Sequence, residues 1–316
     1  MKENAYLPEG SLIGTEENDA YLCSPKALEA AIREERILEG QAVSCTGDSL
    51  DLVVDLGYIK GIIPRREAAL EADSSAVPKD IAVITRVGRP VCFTVTEIGR
   101  YHGDTVAFLS RKSAQKMCRS EYTSKLAPGD IIDVAVTHLD PFGAFVDIGC
   151  GIVSLLSVDC ISVSRISHPS VRLKKGQSLK AVVKSVDPET GRIYMTLREL
   201  LGTWDENAAS YEIGSTVAGT VRSIEDYGIF VELTPNLAGL AERRSGVEVG
   251  DSCAVYVKNI IRERMKIKLS IIDAYAAVRE TPPLRYFVDT ETVKHISKWR
   301  YSPLVCPKTV ETIFDQ

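Results

Sequence analysis

Apolar and polar residues alternate along much of the chain, and the alternation breaks at regular intervals on Gly, Pro and Asp. Period-two alternation punctuated this way predicts short antiparallel strands. The pattern also repeats. Gly129-Asp-Ile-Ile-Asp-Val-Ala-Val-Thr-His-Leu-Asp-Pro-Phe-Gly-Ala-Phe-Val-Asp-Ile pairs with Gly214-Ser-Thr-Val-Ala-Gly-Thr-Val-Arg-Ser-Ile-Glu-Asp-Tyr-Gly-Ile-Phe-Val-Glu-Leu. Each copy reads as an alternating strand, a two-residue acidic turn, and then aromatic-Gly-x-Phe-Val-acidic-apolar. Each continues into a third strand (152–158; 237–241) and a Gly-led fourth (176–186; 250–261). Each closes on a fifth strand followed by a short helix (192–197; 265–271). Five strands in about 70 residues, repeated, predict small closed barrels.

A weaker copy precedes these two. Its first strand is read at 39–45, its second and third at 51–63, its fourth at 91–98 and its fifth at 105–111. Val54-Asp-Leu-Gly57 aligns with Val146-Asp-Ile-Gly149, but Leu50 and Val53 stand where Phe142 and Phe145 stand in the second copy. Ser24-Pro25 forms a cap and first turn for a helix over 26–39, with Leu28, Ile32 and Glu35 near one face. That helix either docks on another protein or packs across the open end of the first barrel.

Composition narrows the function classes. The chain has 316 residues, 45% of them hydrophobic, which excludes a largely disordered protein. No run approaches the roughly 18 apolar residues of a membrane span, and no apolar signal core follows Met1. A soluble, cytoplasmic protein is expected. The eight cysteines are spread without a CxxC pair, and the four histidines are scattered, so neither metal nor cofactor is expected. GxGxxG, GxxxxGK[ST], HExxH and GxSxG are absent, as are clustered carboxylates or a histidine pair, so no catalytic residue is named and an enzyme is not expected.

Net charge, −5 from 38 Lys+Arg and 43 Asp+Glu, at first speaks against nucleic acid. Its distribution changes that. Residues 1–40 hold four basic and nine acidic residues, a local −5 that equals the charge of the whole chain. Residues 161–200 hold eight basic and three acidic, a local +5. An acidic arm hides a basic middle.

Phe142-Gly-Ala-Phe-Val-Asp-Ile-Gly, Ser162-Val-Ser-Arg-Ile-Ser-His-Pro and Tyr227-Gly-Ile-Phe-Val-Glu-Leu carry a family resemblance. Over roughly 37–274 the chain resembles the bacterial small-subunit ribosomal protein S-one family, and within it a short form with three repeats. The module also occurs in nucleases and in regulators of translation or transcription. The resemblance implies an all-β-dominated fold of three tandem five-stranded OB-type barrels with short connecting helices. The expected organisation is an acidic arm with a helix at 1–36, a degenerate first barrel at 37–118, and RNA-binding barrels at 126–204 and 211–274. An extension at 275–316 is expected to pack on the third barrel.

An OB barrel holds single-stranded nucleic acid on its second and third strands, where exposed aromatics stack on bases. Phe142 and Phe145 flank Gly143, and Tyr227 and Phe230 flank Gly228. With the first ring of each pair in the turn, both rings reach the outer face, and the glycine keeps that surface low. The alternative places one ring of each pair in the core. The family's contact positions at the fourth-to-fifth turn match Asp187 and Arg192, while Lys266 alone keeps the charge in the third repeat. A histidine common on the family's third strand is replaced by Ser157 and Glu242. In the loop 159–175, Arg165, His168, Arg172, Lys174 and Lys175 are candidate RNA contacts, or else a solvated charge run with His168 bonded to its own loop. Arg222, Arg262, Arg264 and Lys268 add cations in the third repeat that carboxylates offset, so the second should bind more tightly. Trp299, Arg300 and Tyr301 either pack or extend the RNA surface.

The expected function is single-stranded RNA and mRNA binding in translation with the small ribosomal subunit, as a monomer and away from membranes. Two alternatives remain at this level: an RNA-binding regulator or decay accessory acting off the ribosome, and a protein-interaction scaffold.

Overall fold

The computed structural model describes residues 5–71, 76–276 and 283–314. Residues 1–4 of the expected acidic arm, and 277–282 and 315–316 of the expected C-terminal extension, lie outside the described residues. The chain divides into two compact units, one of residues 1–126 with 133–135 and 147–153, the other of the remainder.

The first unit begins with two short helices, α1 (Glu16–Leu22) and α2 (Pro25–Arg33). Ser24 caps α2 as its sequence implies, accepting from the Ala27 N–H at 3.3 Å, with Pro25 in the first turn. The helix does not run to residue 39. It stops at Arg33, Glu35 turns the backbone into positive φ, and β1 (Ile37–Cys45) starts at once. The apolar period of 3.6 gives way there to the extended run Ile37-Leu38, which is fully used by the barrel. Leu28 and Ala31 are buried with Leu52, Phe93 and Leu109, so α2 packs on the barrel. Helix α1, which the sequence reading does not contain, is capped by Thr15.

β1, β2 (Leu52–Asp55), β3 (Lys60–Ile63), β4 (Pro90–Tyr101) and β5 (Asp104–Ser110) close a barrel in the order β1-β2-β3-β5-β4, with helix α3 (Asp80–Ile84) between β3 and β4. The β3–β5 ladder is parallel and the others antiparallel. β1 carries a bulge between Ala42 and Ser44, which bends the strand around the closure. A Cβ on Gly40 would lie 2.7 Å from Val54 Cγ1, so glycine there lets β1 lie close over Val54. Helix α4 (Arg111–Glu121) follows, capped by Ser110.

A buried polar hub ties the N-terminal segment to this unit. Glu9 accepts from Arg111 Nε at 2.6 Å and Nη2 at 3.1 Å, and from the Cys92 N–H at 3.1 Å. Arg86 adds a second guanidinium at 3.5 Å. Burial works against the Glu9 charge, but the guanidiniums hold its carboxyl below the ordinary range. Asp147 accepts from the Glu9, Gly149 and Gly151 N–H groups, while Glu39 accepts from the Gly10 and Leu12 N–H groups at 2.9 Å each. Glu9 and Glu39, counted in an acidic arm by the sequence, are therefore interior residues. Burial pushes the Glu39 carboxyl up to about 7 and raises Asp147 as well.

In the second unit, β6 (Ile131–Asp140), β7 (Gly143–Asp147), β8 (Val153–Ser157), β9 (Ser178–Val186) and β10 (Ile193–Thr196) form a five-stranded sheet in the order β10-β8-β7-β6-β9. Part of β6, the end of β7 and the start of β8 belong to the first unit. Helix α5 (Trp204–Ala208), with Thr203 and Glu206 as a capping box, leads to the last sheet. There β11 (Thr216–Glu225), β12 (Gly228–Thr234), β13 (Leu237–Ala241), β14 (Ser252–Ile261) and β15 (Lys266–Tyr275) close in the order β11-β12-β13-β15-β14. This copies the first barrel down to the β11 bulge between Val221 and Ser223. The short helix read near 271 is not there, because β15 continues as strand to Tyr275 opposite Ser252.

The C-terminal residues add a two-stranded ribbon, β16 (Lys298–Arg300) and β17 (Glu311–Ile313). Trp299 and Tyr301 are each 7% exposed and join the core of the last barrel, so packing is their main role. The same segment also reaches the middle sheet, through Ile296 N–H to the Gly129 carbonyl and Phe287 N–H to the Leu200 carbonyl, both at 2.9 Å.

A second buried hub joins the middle and last sheets within this unit. The Arg172 guanidinium pairs with Glu232 on β12, and Arg222 grips the same carboxylate at 2.8 and 3.0 Å. Around it, Val163 N–H donates to Asn236 Oδ1 and Ser164 N–H to the Pro235 carbonyl, each at 3.0 Å. Asn236 Nδ2 donates to the Arg198 and Gly202 carbonyls at 2.8 Å, and the Tyr301 hydroxyl donates to the Asn236 carbonyl at 2.6 Å.

Two predictions follow from the hubs. Glu39 is raised above its ordinary 4.5, so its contribution to stability is complete below about pH 4.5 and is lost as pH rises through about 7. Thermal unfolding should therefore come earlier at pH 8 than at pH 5.5, and Glu39→Gln, which keeps an acceptor for Gly10 and Leu12, should shrink that difference. For the other hub, Glu232→Ala leaves the buried Arg172 unpaired and should cost about 3–5 kcal/mol. Urea unfolding followed by tryptophan fluorescence reads this directly, since Trp204 and Trp299 both sit in the last barrel's core.

Candidate nucleic-acid interface

β7 explains the ring pair. Along Gly143–Asp147 only Phe145 is not fully buried, because pleating sends Ala144 and Val146 inward. Phe145 therefore faces out. Phe142 precedes the strand in the turn, is 55% exposed, and meets Phe145 edge to face with centroids 5.8 Å apart. The last barrel repeats the arrangement: Phe230 is the outward residue of the first five of β12, Tyr227 is 70% exposed, and the two rings are 6.1 Å apart at 89°. Neither pair has a ring in the core.

A third ring joins the middle pair. His138 on β6 lies 6.2 Å from Phe145 and nearly parallel to it, with an interplanar angle of 27°. Sequence reasoning treated the histidines as scattered and looked for one on the third strand instead. The available signal was register: His138 is an outward position of an alternating strand, opposite the first Phe-bearing strand. In the last barrel Ser223 occupies the matching place, paired with Phe230. His138–Phe145–Phe142 thus forms a row of three rings, and Tyr227–Phe230 a row of two.

The glycines between the rings have a different task from the one expected. Gly143 and Gly228 are buried, not open to solvent. A Cβ on either would lie 2.6 Å from a backbone carbonyl of the neighbouring strand, that of Leu156 or Ala241. They let adjacent strands close under the rings, and only indirectly keep the platform flat.

The charged candidates separate into three groups. Arg172, expected at the RNA surface, is instead 2% exposed and spent on Glu232, so it is a clamp between sheets and not a phosphate contact. Burial pushes its guanidinium below the usual range, the Glu232 carboxylate opposing that. His168 is turned onto its own loop, where Nδ1 accepts from the Ser170 N–H at 3.1 Å. Arg165, Lys174, Lys175, Arg192 and Lys266 are exposed. Asp187 and Arg192 share one turn, with the Asp187 N–H on the Arg192 carbonyl at 2.8 Å. The Asp187 carboxylate is occupied by the Thr190 hydroxyl and the Glu189 N–H, which hold it below the ordinary carboxylate range. In the last barrel Arg262 is held by Asp205 at 2.7 and 3.0 Å.

The first barrel has no ring pair on β2, as Leu50 and Val53 led one to expect. Its ring cluster sits on the β4–β5 hairpin instead, where half-buried Tyr101 meets exposed His102 at 4.3 Å and half-buried Phe108 at 6.3 Å, while Tyr58 is exposed between β2 and β3. Among the described residues no helix is long and apolar enough to cross a membrane.

Residues 125–198, the segment that carries the three-ring row, match the family model of the S1 RNA binding domain. Along 276 residues the chain is 29% identical to small ribosomal subunit protein bS1 of Leuconostoc lactis, covering 81% of this chain and 59% of that protein. It is 32% identical over 192 residues to bS1 of Rhizobium meliloti, covering 59% of this chain and 32% of the relative. The bS1 homolog of Bacillus cereus is 28% identical over 284 residues, which cover 85% of this chain and 70% of that one. The chain thus spans less than two thirds of the first two relatives. With a match to the S1 RNA binding domain in its middle and similarity to bS1 proteins along about four fifths of its length, the chain is similar to the bS1 proteins.

Proposed function

We propose that this protein binds single-stranded RNA, mRNA included, and brings it to the small ribosomal subunit during translation. In this reading three tandem OB-type barrels lie at 37–118, 126–204 and 211–274, and the second and third hold the RNA. The observation that carries it is the recurrence of an outward ring pair at equivalent places, Phe142/Phe145 and Tyr227/Phe230, in two sheets of the same order of use. Bases offer flat faces to such rings whatever their sequence, and exposed Arg165, Lys174, Lys175, Arg192 and Lys266 supply attraction for the phosphates. Sequence preference should accordingly be slight. The middle barrel should bind more tightly, since it has a third ring and its basic loop has fewer carboxylates nearby. The names of the relatives support the ribosomal setting.

A fluorescent oligouridine of about 12 nucleotides tests the stacking, at a length suited to one or two such barrels. Phe145→Ala and Phe230→Ala should each cost about 1–3 kcal/mol of binding, and His138→Ala should weaken binding in the middle barrel only. Unchanged affinity in the two phenylalanine variants would sink the stacking model. Log affinity should fall with log salt by about 0.7 for each phosphate engaged. Arg172→Lys should leave that slope as it is, because the clamp makes no phosphate contact. Co-sedimentation with small subunits at moderate salt tests the ribosomal setting, and a protein left wholly in the supernatant would favour the off-ribosome regulator.

A further inference from the structure

The second unit contains a half-open cavity of about 510 Å³ that the ring rows do not use. It opens beside the loop after β8, under the C-terminal ribbon. Val163, Ile166 and Val310 with the Trp299 indole supply an apolar wall. Two arginines, Arg165 and Arg198, and one acidic residue, Asp159, line the same space. The volume falls within the roughly 300–1,000 Å³ of small-ligand sites, and the lining has the usual composition of such a site: mostly apolar, with a few charged groups.

The charges differ in how far they are already committed. Arg198 is oriented from both sides, with Nε 3.2 Å from Glu199 Oε1 and Nη2 3.5 Å from the Thr312 hydroxyl on β17. Arg165 is exposed and makes no ion pair among the described residues. The wall asks for a flat apolar body, and the guanidiniums for an anion attached to it. A fatty carboxylate would leave Asp159 facing hydrocarbon, whereas a base with amino or imino hydrogens gives that carboxylate a donor. A nucleotide satisfies all three demands.

We propose that this cavity is a nucleotide pocket, holding one unstacked nucleotide with its base against the Trp299 side and its phosphate on Arg165. It goes beyond the stacking platforms, and rests on the RNA-binding reading only for where the nucleotide comes from: an RNA strand or a free nucleotide. The C-terminal ribbon then has a role besides packing, since it contributes Trp299 and Val310 to the wall and Thr312 to the placing of Arg198.

Guanosine monophosphate, titrated into the full-length chain, is the probe. Trp204 is 1% exposed in the core and Trp299 lines the cavity, so a change in tryptophan emission reports the pocket. Saturable quenching is expected, and inorganic phosphate alone should not produce it. Arg165→Ala should raise the dissociation constant about tenfold, and Asp159→Asn should reduce the advantage of guanosine over uridine monophosphate. Ile166→Phe fills the space with little demand on the core. It should abolish quenching while the affinity for oligouridine stays as it was. Competition between the nucleotide and an oligouridine carrying one central guanosine assigns the pocket to RNA, and simultaneous binding assigns it to free nucleotide. Absence of saturable quenching up to about 10 mM, with oligouridine binding intact, overturns the pocket and leaves the RNA reading standing. Failure of oligouridine to bind as well overturns that reading too.

Discussion

Each of the two units is organised by one buried carboxylate that gathers two guanidiniums. Glu9 holds Arg111 and Arg86 in the first, and Glu232 holds Arg172 and Arg222 in the second. Taking such charges out of water costs several kcal/mol per ion, so each arrangement persists only because every partner is in place. Small barrels have little interior of their own, and the hubs extend it by burying the segments that flank the barrels. Around Glu9 the N-terminal residues become part of the first unit. Around Glu232 the loop after β8 becomes part of the last barrel's wall.

That second hub changes how the basic middle of the chain is used. A loop with Arg165, His168, Arg172, Lys174 and Lys175 looks uniform in sequence. In the fold it is divided by depth: Arg172 goes inward to Glu232, His168 caps its own turn, and the remaining cations stay in water. Within this loop only the last group stays open to solvent. The ring rows obey a simpler rule. A strand of alternating pleat with glycine at its start can lie close to its neighbour, and its single outward phenylalanine then stands above a flat backbone with the turn aromatic beside it.

Much of this was legible without coordinates. Strand alternation, the Gly/Asp/Pro breaks and the repeat of aromatic-Gly-x-Phe-Val located most strands to within two or three residues, because period two and turn chemistry are local properties. Both ring pairs were legible for the same reason. His138 was missed because its partnership with Phe145 crosses from β6 to β7, and depends on a register that no single segment contains. The helix over 26–39 was overextended because Glu34-Glu35-Arg36 suits a helix end as well as a helix middle. The competition for Ile37 and Leu38 by the barrel is a tertiary matter.

What the sequence determined by itself was therefore the local vocabulary: where strands run, which positions bear rings, and where charge is concentrated. Tertiary structure decided which charges reach water, since burial is set by the neighbours that distant segments bring. It turned an acidic arm into the interior hub of Glu9 and Glu39, an RNA-like arginine into a clamp, and Trp299 and Tyr301 into core. Alternation can be counted along a chain, but the depth of a side chain is a property of the whole fold around it.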